Sequence, residues 1–540
     1  MQSKCLKLSL DQWIWGPTAH WKLYYSLKKY GGKWASALLA ESEREKEYSG
    51  IVKSEKNEKC KPCFTQASNE IDANSTYSRQ IIIAGVSKNK YRSRDKFCFK
   101  RSYSNLSIKN EGSITNDEAN KMVWCNEKVI NINKDVVSKC HTNQLASNSP
   151  NEDQISITQF DLENGTLFTV LDGHGGHLFG EEVKVRLPYY LQAALLNKDF
   201  NENFYESVFN LIQNSTDLHI KDEPWMKELL AYVKTSNKEF PLLESSENDN
   251  FFKTQEKKME EAIKNAFVKL DIDIINELQN LSKLNKLDTR GIKTALSGCC
   301  ALSAYIVKDE VFIANVGDCR AVLGKHLNSE WSSVQLTTDH TAGISNASEV
   351  RRILSKHPAE ESRSCIQYGR LLGRLAPLRA LGDMQFKLPN EELRDVFKTM
   401  PKYNPIQASK TPPYLTAEPE MFHYKLEKHD KFIVLASDGL WDMLSNDEVV
   451  ELVGAYIEGR QIDLLKERAC YYCVPNYEDL VSSDNAFVKD ENVASFLIRF
   501  ALGGYDPNNL RSMLSIPHPD VRLFRDDITV MVIFLNSLNF

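Results

Sequence analysis

The sequence lacks any apolar run long enough to cross a membrane. A membrane-spanning helix needs about 18 or more apolar residues, whereas the longest runs here, Ile81–Val86 and Val530–Leu535, are far shorter. The chain also lacks an excess of positive charge, since its formal net charge is −6. This charge argues against a general nucleic-acid binder and against a protein that binds anionic membranes. We therefore expect a soluble protein that neither binds nucleic acid nor spans a membrane.

Cysteine is too sparse for a disulfide scaffold, with 12 cysteines in 540 residues. Cys299 and Cys300 are adjacent, which favours reduced thiols in a cytosol or a mitochondrial matrix. Two Cys-x-x-Cys pairs, at 60–63 and 470–473, have the spacing of half a zinc site. A structural zinc site would need the two pairs close together or nearby histidines. We interpret the spacing as a coincidence.

Residues 1–140 are predicted to form an N-terminal extension that is largely flexible, because a polar tract without sustained periodicity fills most of it. Between residues 79 and 101, eight lysines and arginines accompany a single acid, Asp95. Such a composition is typical of a mitochondrial transit peptide, and the segment ends in Arg101–Ser104, which resembles a processing site. Its internal position fits a solvated basic linker equally well. The first 35 residues, with several lysines and Asp11 as their acid, are a second candidate.

The chain from Glu152 onward is predicted to be a mixed α and β domain. Two strand-like runs are separated by Lys308–Glu310, which predicts an antiparallel hairpin. Apolar residues recur at helical spacing over Met259–Leu278, and a capping-box pattern begins at Ser445. These features favour an antiparallel sheet core covered by helices. The predicted strands are Thr166–Leu171, Ala301–Val307, Val311–Val316, Ala321–Gly324, Phe432–Ser437 and Ile528–Leu535.

Five aspartates each lie at or just past one end of a strand-like run. Carboxylates so far apart in sequence can converge only through folding, and oxygen ligands gathered at sheet edges suit a hard divalent cation. Taken singly, an aspartate at a strand end more often caps a turn or a helix. Their conjunction with glycine-rich neighbours favours a metal site. The five are Asp172, Asp318, Asp438, Asp442 and Asp526.

The segment Asp172-Gly173-His174 suggests the chemistry of that site. Gly173 would let the backbone approach a ligand and leave its carbonyl free to coordinate. Two ions about 3.5–4 Å apart can lower the pKa of a bridging water and clamp an in-line phosphoryl displacement. His174 is then placed to protonate the departing alkoxide as a general acid.

Eight ordered segments of the chain resemble the 2C-type metal-dependent serine/threonine protein phosphatases. The resemblance runs from about Asn143 to the C-terminus. The segments are Glu152-Asp153, Val170–Gly176, Ser297-Gly298, Val316–Arg320, Leu336–His340, Arg379–Asp383, Ala436–Asp442 and Arg525–Thr529.

This resemblance implies an α+β fold, in which two packed antiparallel β-sheets are flanked by α-helices as an α-β-β-α sandwich. The catalytic domain would cover residues 141–540, with insertions near 220–290 and 385–415. Two ions of Mg²⁺ or Mn²⁺ would be bound at one end of the sandwich, together with a third, weaker one. Asp172 would bridge the first two ions, Gly173 would supply a carbonyl, and Asp438, Asp526 and Glu152 would complete the shell, whereas Asp318 and Asp442 match the third position.

Two positions depart from the usual family pattern. Asn148 stands where most members carry an arginine that grips the substrate phosphate, and an amide lacks the charged fork of a guanidinium. Cys299 and Cys300 replace small hydroxyl residues. The asparagine points to one subgroup, the catalytic subunits of mitochondrial pyruvate dehydrogenase phosphatase. Other segments with this resemblance are Asn143–Asn148, Arg370–Gly373, Pro377–Asp383 and Thr411–Pro419.

The subgroup resemblance implies a function and partners. Metal-bound hydroxide would attack phosphoserine on the α subunit of pyruvate dehydrogenase directly, so reactivating that complex in the mitochondrial matrix. A lipoyl domain of the complex, bound in a Ca²⁺-dependent way, and a regulatory subunit would be partners. One alternative is a general 2C-type phosphatase with cytosolic or nuclear substrates. A second alternative is a catalytically silent binding scaffold, although such proteins typically lose metal carboxylates that this chain keeps.

Overall fold

A computed structural model describes residues 114–134, 136–160, 165–195, 223–235, 255–343, 346–400, 402–459, 490–504 and 507–536. The basic stretch 79–101 and both Cys-x-x-Cys pairs lie outside these residues. Within them, no helix combines the length and the apolar character that a membrane span requires.

Two antiparallel sheets of six strands each form the centre of the described fold. The first sheet has the order β1 (Lys128–Lys134), β2 (Val137–Leu145), β14 (Ile528–Leu535), β13 (Asp430–Ala436), β7 (Arg320–Leu327) and β8 (Glu330–Gln335). The second sheet has the order β12 (Glu420–Lys425), β6 (Glu310–Val316), β5 (Gly298–Val307), β4 (Thr166–His174) and β3 (Gln154–Gln159), with β11 (Leu381–Gly382) paired to β5. The short strands β9 (Ile366–Gln367) and β10 (Arg370–Leu371) pair with each other.

The sheets pack face to face because their central strands are apolar on both sides. In β5, Cys300 and Leu302 point into the core between the sheets, while Cys299 and Ala301 join the core under the helices. The alternation follows from the two-residue period of a strand. Strand β13 repeats the pattern in the first sheet, where Ile433 faces inward.

Helices cover the outer face of each sheet. The second sheet packs against α2 (Leu178–Leu195) and α4 (Gln255–Lys283), and the first against α11 (Asn446–Glu458) and α12 (Val493–Gly503). This arrangement confirms the predicted α-β-β-α sandwich. The remaining helices are α1 (Asn116–Trp124), α3 (Pro224–Thr235), α5 (Thr289–Leu296), α6 (Ala347–Ser355), α7 (Ser362–Cys365), α8 (Met384–Lys387), α9 (Asn390–Val396), α10 (Asp438–Trp441) and α13 (Pro507–Leu514).

Local predictions agree with the structure where the sequence signal is strong. The hairpin at Lys308–Glu310 joins β5 and β6, and the capping box links the Ser445 and Glu448 side chains and backbone reciprocally. The sheet begins before the predicted boundary at residue 141, because β1 and the start of β2 are hydrogen-bonded within it. The folded region therefore extends further toward the N-terminus than the sequence indicates.

The two predicted insertions contain helices that contact each other. The region near 220–290 includes α4, and the region 385–415 includes α9. The Ser282 hydroxyl at the end of α4 donates to the Asp395 carbonyl of α9 at 2.8 Å, and the Lys398 ammonium donates to the Ser282 carbonyl at 2.9 Å.

Candidate metal centre

The ends of neighbouring strands bring the predicted metal ligands to one edge of the sandwich. Asp172 lies in the last part of β4, and Asp438 follows the end of β13 at the start of α10. Asp526 precedes β14, which is the antiparallel neighbour of β13, so the end of one strand meets the start of the other. Asp318 occupies the turn between β6 and β7.

Gly173 allows the Glu152 backbone to lie directly against strand β4. A β-carbon placed on Gly173 would be 2.3 Å from the Glu152 carbonyl oxygen, which is well inside van der Waals contact. Gly439 plays the same part beside Asp438, since a β-carbon there would be 1.9 Å from the Asp527 carbonyl oxygen. Both glycines are therefore needed for close approach of two backbone segments at the site.

The gathered carboxylates raise the pKa values of their neighbours. Burial is the largest cause that holds the pKa of Asp172 well above its usual range, and four nearby carboxylates add to it. Burial, followed by Asp527, raises the pKa of Asp153 to about 7. The four neighbours of Asp172 are Asp153, Asp438, Asp318 and Asp527.

This cluster fits a hard divalent cation in its chemistry. Its donors are carboxylate oxygens, which Mg²⁺ and Mn²⁺ prefer, and their mutual repulsion is what a bound cation would offset. In the part of the chain that the structure describes, no three acidic, histidine or cysteine side chains are close enough to form a ready-made metal shell. The carboxylates are thus gathered at one edge without being closed around a common point.

The carboxylate of Asp526, a predicted ligand, is paired with a cation. The guanidinium of Arg522 contacts its Oδ1 atom, and the two side chains are 35% and 42% exposed. Arg522 also lowers the pKa of Glu152, although burial outweighs it and the net pKa of Glu152 is raised. A metal ion held by Asp526 and Glu152 would therefore compete with Arg522 for these carboxylates.

Asp318 and Asp442, predicted to hold a third ion, are held in place by different hydrogen bonds. The Cys300 thiol donates to Oδ1 of Asp318 at 3.1 Å, and burial raises the pKa of that carboxyl. Asp442 follows α10 as its C-terminal cap, and its backbone N–H donates to the Asp438 carbonyl at 2.7 Å. Asp318 acts electrostatically on Asp172, whereas Asp442 is joined to the cluster through the backbone of α10.

Asp527 organises the loop that carries Asn148 and Glu152. Its Oδ1 accepts from the backbone N–H groups of Ser147 at 2.5 Å and Asn148 at 2.8 Å, and its Oδ2 accepts from the backbone N–H of Glu152 at 2.9 Å. The Asn148 amide nitrogen donates to Oδ2 of Asp527 at 2.9 Å and to Oε2 of Glu152 at 3.1 Å. Asn148 thus uses its amide donors on two carboxylates and supports Glu152.

His174 forms a close pair with Asp383. Its Nε2 atom lies 2.6 Å from Oδ2 of Asp383, whose side chain is 4% exposed. Burial lowers the pKa of His174, but Asp383, with Asp318 and Glu152, outweighs burial, and the net pKa is raised. A raised pKa favours the protonated imidazole, which is the form that a general acid requires.

Three supporting residues carry no role in the sequence analysis: Asp153, Asp383 and Asp527. Each lies inside one of the eight family segments, and that membership is the one feature of the sequence that could have marked it as part of the site. Their contacts, however, join positions hundreds of residues apart: the Ser437 hydroxyl donates to Oδ2 of Asp153 at 2.8 Å. No local pattern encodes such a partnership.

A model of protein phosphatase 2C matches residues 213–476 of the chain. Human mitochondrial pyruvate dehydrogenase (acetyl-transferring) phosphatase 2 is 34% identical over 427 residues, covering 74% of this chain and 78% of its own length. The chain belongs to the protein phosphatase 2C family. Mitochondrial pyruvate dehydrogenase (acetyl-transferring) phosphatase 1 of Saccharomyces cerevisiae is 30% identical, and the match covers 73% of this chain and 68% of its own length. A structure of serine-threonine phosphatase 2C from Toxoplasma gondii covers 76% of this chain and 98% of its own, with 17% identity and a TM-score of 0.39.

Membership of this family makes the chain a phosphoprotein phosphatase of the serine/threonine type, and the family depends on Mg²⁺ or Mn²⁺. The relatives named above as pyruvate dehydrogenase phosphatases are mitochondrial by name, in agreement with the predicted mitochondrial location.

Proposed function

We propose that this phosphatase removes phosphate from phosphoserine on the α subunit of pyruvate dehydrogenase and so reactivates that complex. The observation that carries the chemistry is the gathering of carboxylates from separate strand ends around Asp172. The substrate rests on the 34% identity to a human phosphatase named for pyruvate dehydrogenase.

We propose for the metal ligands the roles that the family resemblance implies. Asp172, the Gly173 carbonyl, Asp438, Asp526 and Glu152 would hold two ions, and Asp318 with Asp442 a third. When bound, such ions lower the pKa of a water and offset the negative charge of the phosphate.

His174 would donate a proton to the serine oxygen as the phosphorus–oxygen bond breaks. Its Nε2 atom is engaged with Asp383, so Nδ1 is the atom that remains to face the leaving group. Asn148 holds Glu152 in place, and a direct contact with substrate phosphate would require its amide to leave one of its two carboxylates.

We also propose, from the same subgroup resemblance, that the enzyme docks on a lipoyl domain of the complex with the help of Ca²⁺ and binds a regulatory subunit. Binding of an isolated lipoyl domain, measured with Ca²⁺ and with a chelator, tests the first partner.

The deciding experiment compares intact phosphorylated pyruvate dehydrogenase complex with an unrelated phosphoprotein, with and without Mn²⁺. We expect metal-dependent release of phosphate that is faster from the complex. Asp172→Asn should abolish the release, whereas Asp309→Asn, in the distant β5–β6 turn, should leave it unchanged. Equal rates on both proteins would favour a general 2C-type phosphatase, and no metal-dependent rate would favour a silent scaffold.

A further inference from the structure

A buried aspartate of α4 contacts the segment that holds the partner of His174. Oδ1 of Asp271 accepts from the backbone N–H of Gly382 at 2.7 Å. Both carboxylate oxygens also accept from the Lys387 ammonium, at 2.8 and 2.7 Å. The two side chains are only 7% and 8% exposed, so this ion pair is buried.

The contacted segment has an unusual backbone. Gly382 has φ +76°, and Asp383 has φ +54° in the left-handed region, which a residue with a β-carbon adopts only when its surroundings hold it there. The Asp383 N–H donates to the Ser297 carbonyl at 3.0 Å. Lys387 also holds the segment, because its ammonium donates to the Ala380 carbonyl at 2.9 Å.

Two steps therefore connect α4 to the imidazole. Asp271 fixes the peptide N–H of Gly382, the next residue is Asp383, and the Asp383 carboxylate contacts His174 at 2.6 Å. The space is tight: a β-carbon on Gly298 would be 2.3 Å from Oδ2 of Asp383. A shift of the segment would thus move the carboxylate away from its place beside the imidazole.

We propose that Asp271 is a positioning residue for the general acid: it holds Gly382 so that Asp383 can orient His174. The inference rests on the proposed role of His174 as the acid. It gives the inserted helix α4 an indirect part in the chemistry of a site that it does not itself line. Lys387 supplies the counter-charge that allows a carboxylate to be buried at that point.

Two double variants separate the hydrogen bond from the ion pair. D271N/K387Q removes both charges but keeps an oxygen that can accept from Gly382. D271L/K387M removes both charges and the acceptor, with side chains of similar size. Neither leaves an unpaired buried charge, which alone could unfold the chain. Glu277→Gln, which weakens the pair of α4 with Arg186 of α2, is the matched control on the same helix.

The kinetic readout is the dependence on the leaving group, at saturating Mn²⁺. A serine alkoxide needs a proton to leave, whereas p-nitrophenolate does not. We expect D271L/K387M to lower kcat on a phosphoserine peptide about tenfold or more while p-nitrophenyl phosphate changes less than about threefold. D271N/K387Q and Glu277→Gln should show no such selectivity. In a background of His174→Ala, D271L/K387M should add little further loss.

A downfield imidazole N–H resonance in the proton NMR spectrum gives a readout that needs no turnover. It should be present in the wild type and in D271N/K387Q, and absent in His174→Ala and in D271L/K387M. Equal slowing of both substrates, a loss additive with that of His174→Ala, or an unchanged resonance in D271L/K387M would overturn the inference. A wild-type enzyme without metal-dependent activity would instead refute the proposed function, and the resonance would still decide the positioning role.

Discussion

The Nε2 atom of His174 and the Oδ2 atom of Asp383 lie 2.6 Å apart although 209 positions separate the two residues in sequence. The carboxylate favours a protonated imidazole, and because it engages Nε2 it leaves Nδ1 as the ring nitrogen that it does not contact. A histidine that follows a predicted metal ligand by two positions is thereby provided with the charge partner that a general acid needs.

Asp383→Asn should therefore weaken the acid without dismantling the metal site. The amide keeps a hydrogen-bonding oxygen but no charge, so the pKa of His174 falls and the imidazole loses its proton at lower pH. We expect kcat on a phosphoserine peptide to fall about tenfold or more at neutral pH. Activity toward p-nitrophenyl phosphate should change little. The measurement is the pH profile of kcat on each of the two substrates, with Asp309→Asn as the control. A change of the same size for both substrates would contradict the prediction.

Gly173→Ala should disturb the metal site through the Glu152 backbone. The new β-carbon would lie 2.3 Å from the Glu152 carbonyl oxygen, so the loop must move and the chain should lose about 1–3 kcal/mol of stability. Gly180→Ala is a closely matched control, because its β-carbon would lie 3.8 Å from the same oxygen. Thermal unfolding and Mn²⁺ titration calorimetry measure both effects. Equal Mn²⁺ affinity in the two variants would show that the close approach is not needed.

The strands that the sequence predicts are those buried on both faces. Strands β5 and β13 contribute side chains to the core between the sheets and to the core under the helices, which produces continuous apolar runs. Strand β8, at the edge of the first sheet, is Glu330–Gln335 and has no fully buried residue, so no apolar pattern marks it. Edge strands are thus recognised through their hydrogen-bonded neighbours, which the sequence does not reveal.

The site likewise contains residues that the sequence reveals and residues that it does not. Motifs locate Asp172, Asp438 and Asp526, because a ligand next to glycine at a strand end has a local signature. Asp527 accepts a hydrogen bond from the Ser147 backbone, which lies in a loop 380 positions away in sequence. Its position next to the predicted ligand Asp526 does not predict this contact. Asn148 attracts notice in the sequence because it stands where most family members carry the arginine that grips the substrate phosphate. In the structure its side chain contacts the carboxylates of Glu152 and Asp527.

Arg522→Gln should strengthen metal binding. The guanidinium contacts the Asp526 carboxylate, and a cation there competes with a metal ion for the same oxygens. Because both side chains are more than a third exposed, the competition is worth about 0.2–1 kcal/mol, or up to roughly fivefold in affinity. Titration of Mn²⁺ without substrate measures the change, and Arg522→Lys should remain near the wild type. Weaker Mn²⁺ binding in Arg522→Gln would mean that the arginine supports the metal shell.

The Glu349 carboxylate of α6 anchors the start of the segment that leads to Asp383. Arg379 donates to it at 2.6 and 3.0 Å, and Arg352 at 2.8 and 3.0 Å. Burial raises the pKa of Glu349, but the two guanidinium groups outweigh burial and lower it to about 2. A carboxyl group whose pKa falls on folding stabilises the protein above its unfolded pKa, and that stabilisation is lost as the pH falls toward the folded value.

Glu349→Gln should accordingly cost the most stability at neutral pH. The shift from 4.5 to about 2 corresponds to about 3 kcal/mol at pH 7. The difference from the wild type should shrink as the pH falls below about 4.5 and should be small near pH 2. Urea unfolding of both chains across this range, at fixed ionic strength, measures it. A difference that stays constant from pH 7 to pH 3 would show that packing of the side chain, not its charge, anchors Arg379.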